Sequence, residues 1–193
     1  KTAVKLLKEI GIENVEKVLD PVYLLDVAEW NKITQKSTLR LENEKYILAY
    51  GFKQQKDLYK YARKLANARN CKLYSINTNF EDKFLDVDKY FYNATPYDFV
   101  NLVKNAQEVV TNSFHGLSFS IIYNKPVHQF KKNGTENSRM VDLLNELDLS
   151  ERLVISEELL TNQLNYDITE TIIAKNKTKS IEFLQKGLMC NDR

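Results

Sequence analysis

Apolar residues along the chain fall into two patterns: short unbroken runs, and longer stretches where they recur every three or four positions. The first pattern marks buried strands and the second amphipathic helices. Residues 2–10 read as a short helix closed by Gly11 as a C-cap. Val15 to Leu19 read as a strand ending at Asp20-Pro21, where the pre-proline residue is pushed out of the α region. Residues 22–33 read as a loop and a short helix around Trp30. Tyr46 to Tyr50 is a continuous apolar strand stopped by Gly51. In the long helix that follows, Leu58, Tyr61, Ala62, Leu65 and Ala66 share one face. Cys71 to Ile76 is the next strand, and residues 79–95 are irregular apart from a strand at Lys89–Tyr92. Thr95-Pro96 is a helix start, a capping residue followed by proline at the first helical position. Phe99, Leu102, Val103 and Ala106 mark the buried face of that helix. Glu108 to Thr111 is a short strand, and Phe114 to Tyr123 is a helix so apolar that it is buried on more than one side. Pro126 to Phe130 is a strand, residues 138–147 are a helix with Met140, Leu143, Leu144 and Leu147 inward, and the tail from 165 to 189 is helical.

Strands alternating with helices of about 10–15 residues specify βαβ units, hence an α/β, Rossmann-like parallel sheet with helices on both faces and right-handed connections. Ligands in such sheets bind at the carboxyl ends of the strands. The length of 193 residues fits a single α/β domain, 1–193, with residues 165–193 as a helical tail. The opening KTAVKLLKEIG has mid-helix character and no signal-peptide pattern, which reads as a fragment lacking an N-terminal half.

Composition narrows the function. With 28 Lys+Arg against 26 Asp+Glu, the net charge of +2 argues against a nucleic-acid binder. No apolar run is long enough to span a membrane. Two cysteines, Cys71 and Cys190, form no spacing motif, so neither a disulfide framework nor a zinc site is expected, and no metal is. The sequons at Asn93, Asn133 and Asn176 are what an Asn-rich chain produces by chance. The Lys- and Asn-rich composition fits an AT-rich bacterial genome.

Chemistry concentrates in Thr111-Asn112-Ser113-Phe114-His115-Gly116, between a buried strand and a buried helix. A doubly wound fold places an anion at such a turn, where unpaired N–H groups and the positive helix end point outward. Ser113 can cap the helix and donate to an anion, and Gly116 permits close approach to the backbone. His115, in the first turn, is either a proton donor or phosphate ligand, or a satisfied histidine in a tight turn. His128, inside the strand PVHQF, reads as structural.

Several segments in order resemble the polysaccharide pyruvyl transferase family. They are Val18-Leu19-Asp20-Pro21 with Leu24-Leu25 and Trp30, Tyr46–Tyr50, Pro96-Tyr97-Asp98-Phe99, and Val110 to Gly116 with Phe119-Ser120. Asn124-Lys125-Pro126, Asn137-Ser138-Arg139, Leu143-Leu144, Leu149 and Arg152 complete the series. The Ser-Phe-His-Gly turn is the most specific part. The resemblance implies the donor-binding C-terminal half of a two-domain, GT-B-like transferase, with the acceptor mainly on the other half. It implies transfer of the pyruvyl group of phosphoenolpyruvate onto two sugar hydroxyls as a ketal, in bacterial surface-polysaccharide synthesis. Phosphoenolpyruvate would be a co-substrate, with no cofactor, and the acceptor a glycan or lipid-linked sugar. The place of action would be the cytoplasm, at the inner face of the membrane.

That chemistry needs a proton for the methylene carbon, a base for the attacking hydroxyl and stabilisation of the leaving phosphate. By the resemblance, His115 is the catalytic residue, and Ser113 with the backbone of Phe114 to Gly116 holds phosphate oxygens. Arg139 either clamps the carboxylate or pairs with Asp142 on its own helix. Asn137 or Ser138 caps that helix and donates to the same anion. Lys131 binds the donor or, with Lys132, forms a solvated loop. Tyr50-Gly51 either touches ligand or is a plain turn, Asp20-Pro21 reads as a structural turn, and Trp30 reads as a packing anchor. Two other functions share these features: a glycosyltransferase using a nucleotide-sugar donor, and a non-catalytic glycan-binding domain.

Overall fold

Five strands pair side by side in parallel: β1 (Tyr46–Tyr50), β2 (Lys72–Ile76), β3 (Lys89–Phe91), β4 (Glu108–Thr111) and β5 (Val127–Gln129). This is a computed structural model that describes residues 2–52, 56–76, 85–132, 137–160 and 165–189. Cys190 and the Asn133-Gly134 stretch therefore lie outside the described residues. The strand order is β3-β2-β1-β4-β5. The register aligns Phe91, Ile76, Tyr50, Thr111 and Gln129 as the last row, so the five strands end together. Chain order reverses between β1 and β4, and in an open parallel sheet that is where a crevice forms at the carboxyl edge.

The helices are α1 (Thr2–Glu9), α2 (Val27–Thr34), α3 (Lys56–Ala68), α4 (Pro96–Asn105), α5 (Phe114–Ile122), α6 (Ser138–Glu146) and α7 (Asp167–Met189). Of these, α3 and α4 cover opposite sheet faces, as the alternation of β1 shows. Ile47 and Ala49 pack with Leu58, Tyr61, Ala62 and Leu65 of α3. The next residue over, Tyr46, points the other way and donates its hydroxyl to Leu102 O of α4 at 2.7 Å. Tyr46, Ile47, Leu48 and Ala49 are all fully buried, which is why this strand is an unbroken apolar run. Aromatic rings continue from the α4 side to the carboxyl edge. Trp30 meets Phe119 edge-on at 4.7 Å, Phe119 meets Phe99 at 5.6 Å, and Phe99 meets Tyr50 at 5.0 Å. Trp30 is thus a packing anchor.

Local signals explain the helix starts. Thr95 and Asp98 form a reciprocal capping box on α4, with Pro96 at the first helical position. Asp20 caps a short 3-10 turn at Pro21–Tyr23, with Oδ1 accepting from Val22 N at 3.3 Å. The Asp20-Pro21 pair is therefore a structural turn.

The residues group into two compact units, Lys1–Leu25 with Asn165–Arg193, and Asp26–Leu164. The sheet lies in the second and the helical tail, α7, in the first. The strand expected at Val15–Leu19 is absent. The segment has no ladder, and Leu19 N donates instead to Ser180 Oγ of α7 at 2.9 Å. Beyond β5, a 3-10 turn at Ser150–Arg152 leads into a parallel bridge between Leu153 and Gln129, with Val154 N donating to Gln129 O at 2.8 Å.

Candidate active site

The β4–α5 turn is held by side chains of its own sequence. Thr111 Oγ1 donates to Tyr50 O at 2.6 Å across the β1–β4 boundary and accepts from Ser113 N at 3.0 Å. Ser113 is the N-cap of α5, its hydroxyl oxygen accepting from Gly116 N at 3.3 Å. That leaves the hydroxyl proton for a ligand. The amides of Phe114 and His115 occupy the first two helical positions, where an α-helix offers no intrahelical acceptor. Two N–H donors and the positive end of the helix dipole therefore face the carboxyl edge together.

Gly116 is required here for a reason other than ligand approach. A Cβ at this position would overlap Thr111 Oγ1 and lie 3.1 Å from Thr111 Cβ and Cγ2. The close neighbour that the glycine admits is the threonine holding the turn.

Asn112, fully buried, has a part that its place in the motif did not reveal. Its Oδ1 accepts from Phe52 N at 2.9 Å and its Nδ2 donates to Phe52 O at 3.0 Å. One amide thus fastens the loop after β1 to the loop after β4, directly over the point where strand order reverses. Tyr50, half-buried, rests its ring on Phe52 and Phe99 at 5.1 and 5.0 Å.

His115 is exposed, its ring 5.7 Å from that of Phe114. The Arg139 guanidinium lies over the same Phe114 ring at 4.2 Å. A cation seated on an aromatic face gains about 0.5–1 kcal/mol at an exposed site. Phe114 therefore carries an imidazole and a guanidinium, one from its own helix and one from α6. Lys132 adds a second cation, its Nζ 5.4 Å from the centre of the Phe52 ring. Asn137 precedes α6 without capping it. Its Oδ1 accepts from Lys132 N at 2.6 Å and its Nδ2 donates to Lys132 O at 3.0 Å, so its amide fastens the Lys132 backbone in place of the cap expected of it. Ser138 begins α6. Lys131 is exposed and lines a different cleft, against α3.

His128 has a structural role. It is fully buried in β5, with Nδ1 2.8 Å from the Tyr61 hydroxyl and Nε2 2.8 Å from Glu108 Oε2. Tyr61 Oη also accepts from Leu160 N at 3.0 Å. The imidazole thus bridges the Tyr61 hydroxyl and the Glu108 carboxylate. Burial pushes the Glu108 carboxyl up, but the hydrogen bonds from His128 and Arg69 outweigh it and hold the group below the ordinary glutamate value.

Among the described residues no three His, Cys, Asp or Glu side chains gather as a metal site, and no helix is long and apolar enough to cross a membrane. The half-buried Cys71 donates its thiol to Arg69 O at 3.4 Å.

Compared with known families, residues 1–128 match the model of the polysaccharide pyruvyl transferase family. That span holds the whole β4–α5 turn and ends at β5, so Lys131, Asn137, Ser138 and Arg139 lie beyond it. A search of curated proteins found no match.

Proposed function

The chain belongs to the polysaccharide pyruvyl transferase family, and on that premise we propose that the α5 N-terminus receives phosphoenolpyruvate and that His115 protonates it. The supporting observation is that five anion-seeking or proton-bearing groups meet at one carboxyl edge. These are the Ser113 hydroxyl, the amides of Phe114 and His115, the imidazole of His115, and the Arg139 guanidinium on Phe114.

The phosphate sits on the two amides and the Ser113 hydroxyl, where the helix dipole favours it in the substrate and as it leaves. Arg139 pairs with the carboxylate through two parallel N–H donors, held flat by the ring beneath it. His115 gives its proton to the methylene carbon, which becomes a methyl group. A sugar hydroxyl then adds to the central carbon, the carbon–oxygen bond to phosphate breaks, and a second hydroxyl closes the ketal. The two hydroxyl protons balance the step: one restores His115 and the other leaves on inorganic phosphate. The reaction would serve synthesis of a surface glycan, on a polysaccharide or lipid-linked acceptor.

The test is ligand-dependent melting of this chain with phosphoenolpyruvate, inorganic phosphate, UDP and CMP. At about 100 times its dissociation constant, a ligand adds roughly 2.7 kcal/mol, or about 5–10 °C for a chain of this size. Phosphoenolpyruvate should produce that shift, and Arg139→Ala should remove most of it. In the protein carrying acceptor activity, His115→Gln should lower turnover by about 10²–10⁴ while melting stays at the wild-type value. A shift with UDP alone would replace this reading with a nucleotide-sugar glycosyltransferase.

A further inference from the structure

The second unit carries a cleft of about 980 Å³ that is separate from the α5 N-terminus. One wall is α3, presenting Lys56, Lys60 and Lys64 in a row. Successive members of the row are four residues apart, so their Cα atoms climb by about 6 Å each time and the row spans about 12 Å. The opposite wall is the segment from Val154 to Glu157, and Phe130 and Lys131 complete the lining. Four ammonium groups line the space against the carboxylates of Asp57 and Glu157.

The wall opposite α3 is fastened. Val154 N donates to Gln129 O at 2.8 Å, and Lys64 Nζ donates to Glu157 O at 2.8 Å. Leu160 N donates to the Tyr61 hydroxyl at 3.0 Å, and the Tyr61 ring meets Phe130 edge-on at 5.3 Å. The cleft is therefore a built feature.

Its chemistry is mixed in a specific way. Glu157 places a carboxylate oxygen 3.0 Å from Lys60 Nζ, so the lysine row already receives one carboxylate from the chain itself. Beside it Ile155 is 87% exposed, and Val154 and Phe130 add further apolar surface. A small inorganic anion would use the lysines and leave that apolar wall wet. A nucleic acid would call for a far more basic protein than one of net charge +2. A chain of sugar rings bearing carboxylates uses both, its charges on the row and its ring faces on the apolar residues.

We propose that this cleft binds an acidic segment of the polysaccharide, laid along α3 with its carboxylates on Lys56, Lys60 and Lys64. The proposal rests on the reading of this chain as a transferase acting on a polysaccharide, and it adds the charge and the location of that polymer. Glu157 then acts as an internal competitor for the row.

The test is anisotropy of a labelled oligogalacturonate titrated with this chain, with neutral dextran and oligo-dT as competitors. Oligogalacturonate should bind, and K56Q/K60Q/K64Q should weaken it about tenfold, the sum of three exposed charge contacts. Glu157→Gln should tighten it about threefold, by releasing Lys60. That rise in affinity cannot come from unfolding, so it guards against a damaged variant. Neutral dextran should not compete. Absence of binding, equal competition by dextran, stronger competition by oligo-dT, or a weakening in Glu157→Gln would each overturn the proposal. The phosphoenolpyruvate melting shift should persist in K56Q/K60Q/K64Q. If that shift is missing in the wild type as well, the donor assignment fails while the oligogalacturonate result still decides the cleft.

Discussion

Gly116→Ala separates a glycine kept for the fold from one kept for a ligand. The new Cβ would overlap Thr111 Oγ1 and crowd its Cβ and Cγ2 at 3.1 Å. Relief requires the threonine to rotate, and its hydroxyl currently donates to Tyr50 O and accepts from Ser113 N. Losing both bonds costs about 2–3 kcal/mol, since the net worth is roughly 1 kcal/mol each and a buried orphan adds to that. The gain from replacing glycine in a helix returns about 1 kcal/mol at most. The net loss is therefore about 1–3 kcal/mol, a fall in melting temperature of roughly 2–12 °C for a chain of this size. A double-mutant cycle isolates the cause. Thr111→Ala removes Oγ1 and Cγ2, so in that background Gly116→Ala should cost almost nothing, giving a coupling of about 2 kcal/mol. Thr111→Val keeps the bulk and loses the hydroxyl, so in that background the overlap cost should persist. Chemical denaturation of the four variants of the Thr111→Ala cycle, with two Thr111→Val controls, measures these terms. Additive costs at Thr111 and Gly116, or a Gly116→Ala protein as stable as wild type, would refute the argument that the glycine exists to admit the threonine.

Asn112→Ala should cost about 2 kcal/mol, because one buried amide supplies both hydrogen bonds to Phe52. The Phe52 amide should then exchange with solvent faster, and an unchanged exchange rate would show that the clamp is dispensable. The Glu108 carboxyl is held below its ordinary value of 4.5 by His128 and Arg69 despite burial. Its contribution to stability is therefore present above pH 4.5 and lost as pH falls through the lower folded value. Glu108→Gln should be less stable than wild type at neutral pH, with the gap narrowing below 4.5; a gap constant from pH 7 to pH 3 would exclude the linkage. The side chain of His115 is exposed, so His115→Gln should change folding stability by less than about 0.5 kcal/mol even as turnover is lost.

The strand β1 was legible because it is an apolar run hidden on both faces, β4 because Val109 and Val110 form its buried centre, and helices α3, α4 and α5 because their spacing or caps were strong. Val15 to Leu19 misled because its short apolar spacing fits a strand but cannot report whether a neighbouring strand exists. Its Leu19 N–H goes to a serine side chain 161 positions away, which no local pattern encodes. The same limit governs the site. The capping role of Ser113 follows from its place before an apolar helix. The bond from Asn112 to Phe52 joins residues 60 positions apart, and the seat of Arg139 on Phe114 joins two elements; both depend on the sheet having already assembled. Asn137 shows the converse error. A residue type and position that suit a helix cap were used instead to fasten Lys132.

The bridge from Leu153 to Gln129 also bears on self-association. The outer side of β5 would otherwise offer bare main-chain groups to any extended chain, the usual start of edge-to-edge aggregation. Val154 N occupies Gln129 O there. The same strip continues as the wall of the lysine cleft, so widening the cleft by peeling it outward would bare the very groups it shields. A bulky polymer must therefore thread along α3 with the strip in place, and substitutions that loosen Leu153 or Val154 should show first as loss of solubility.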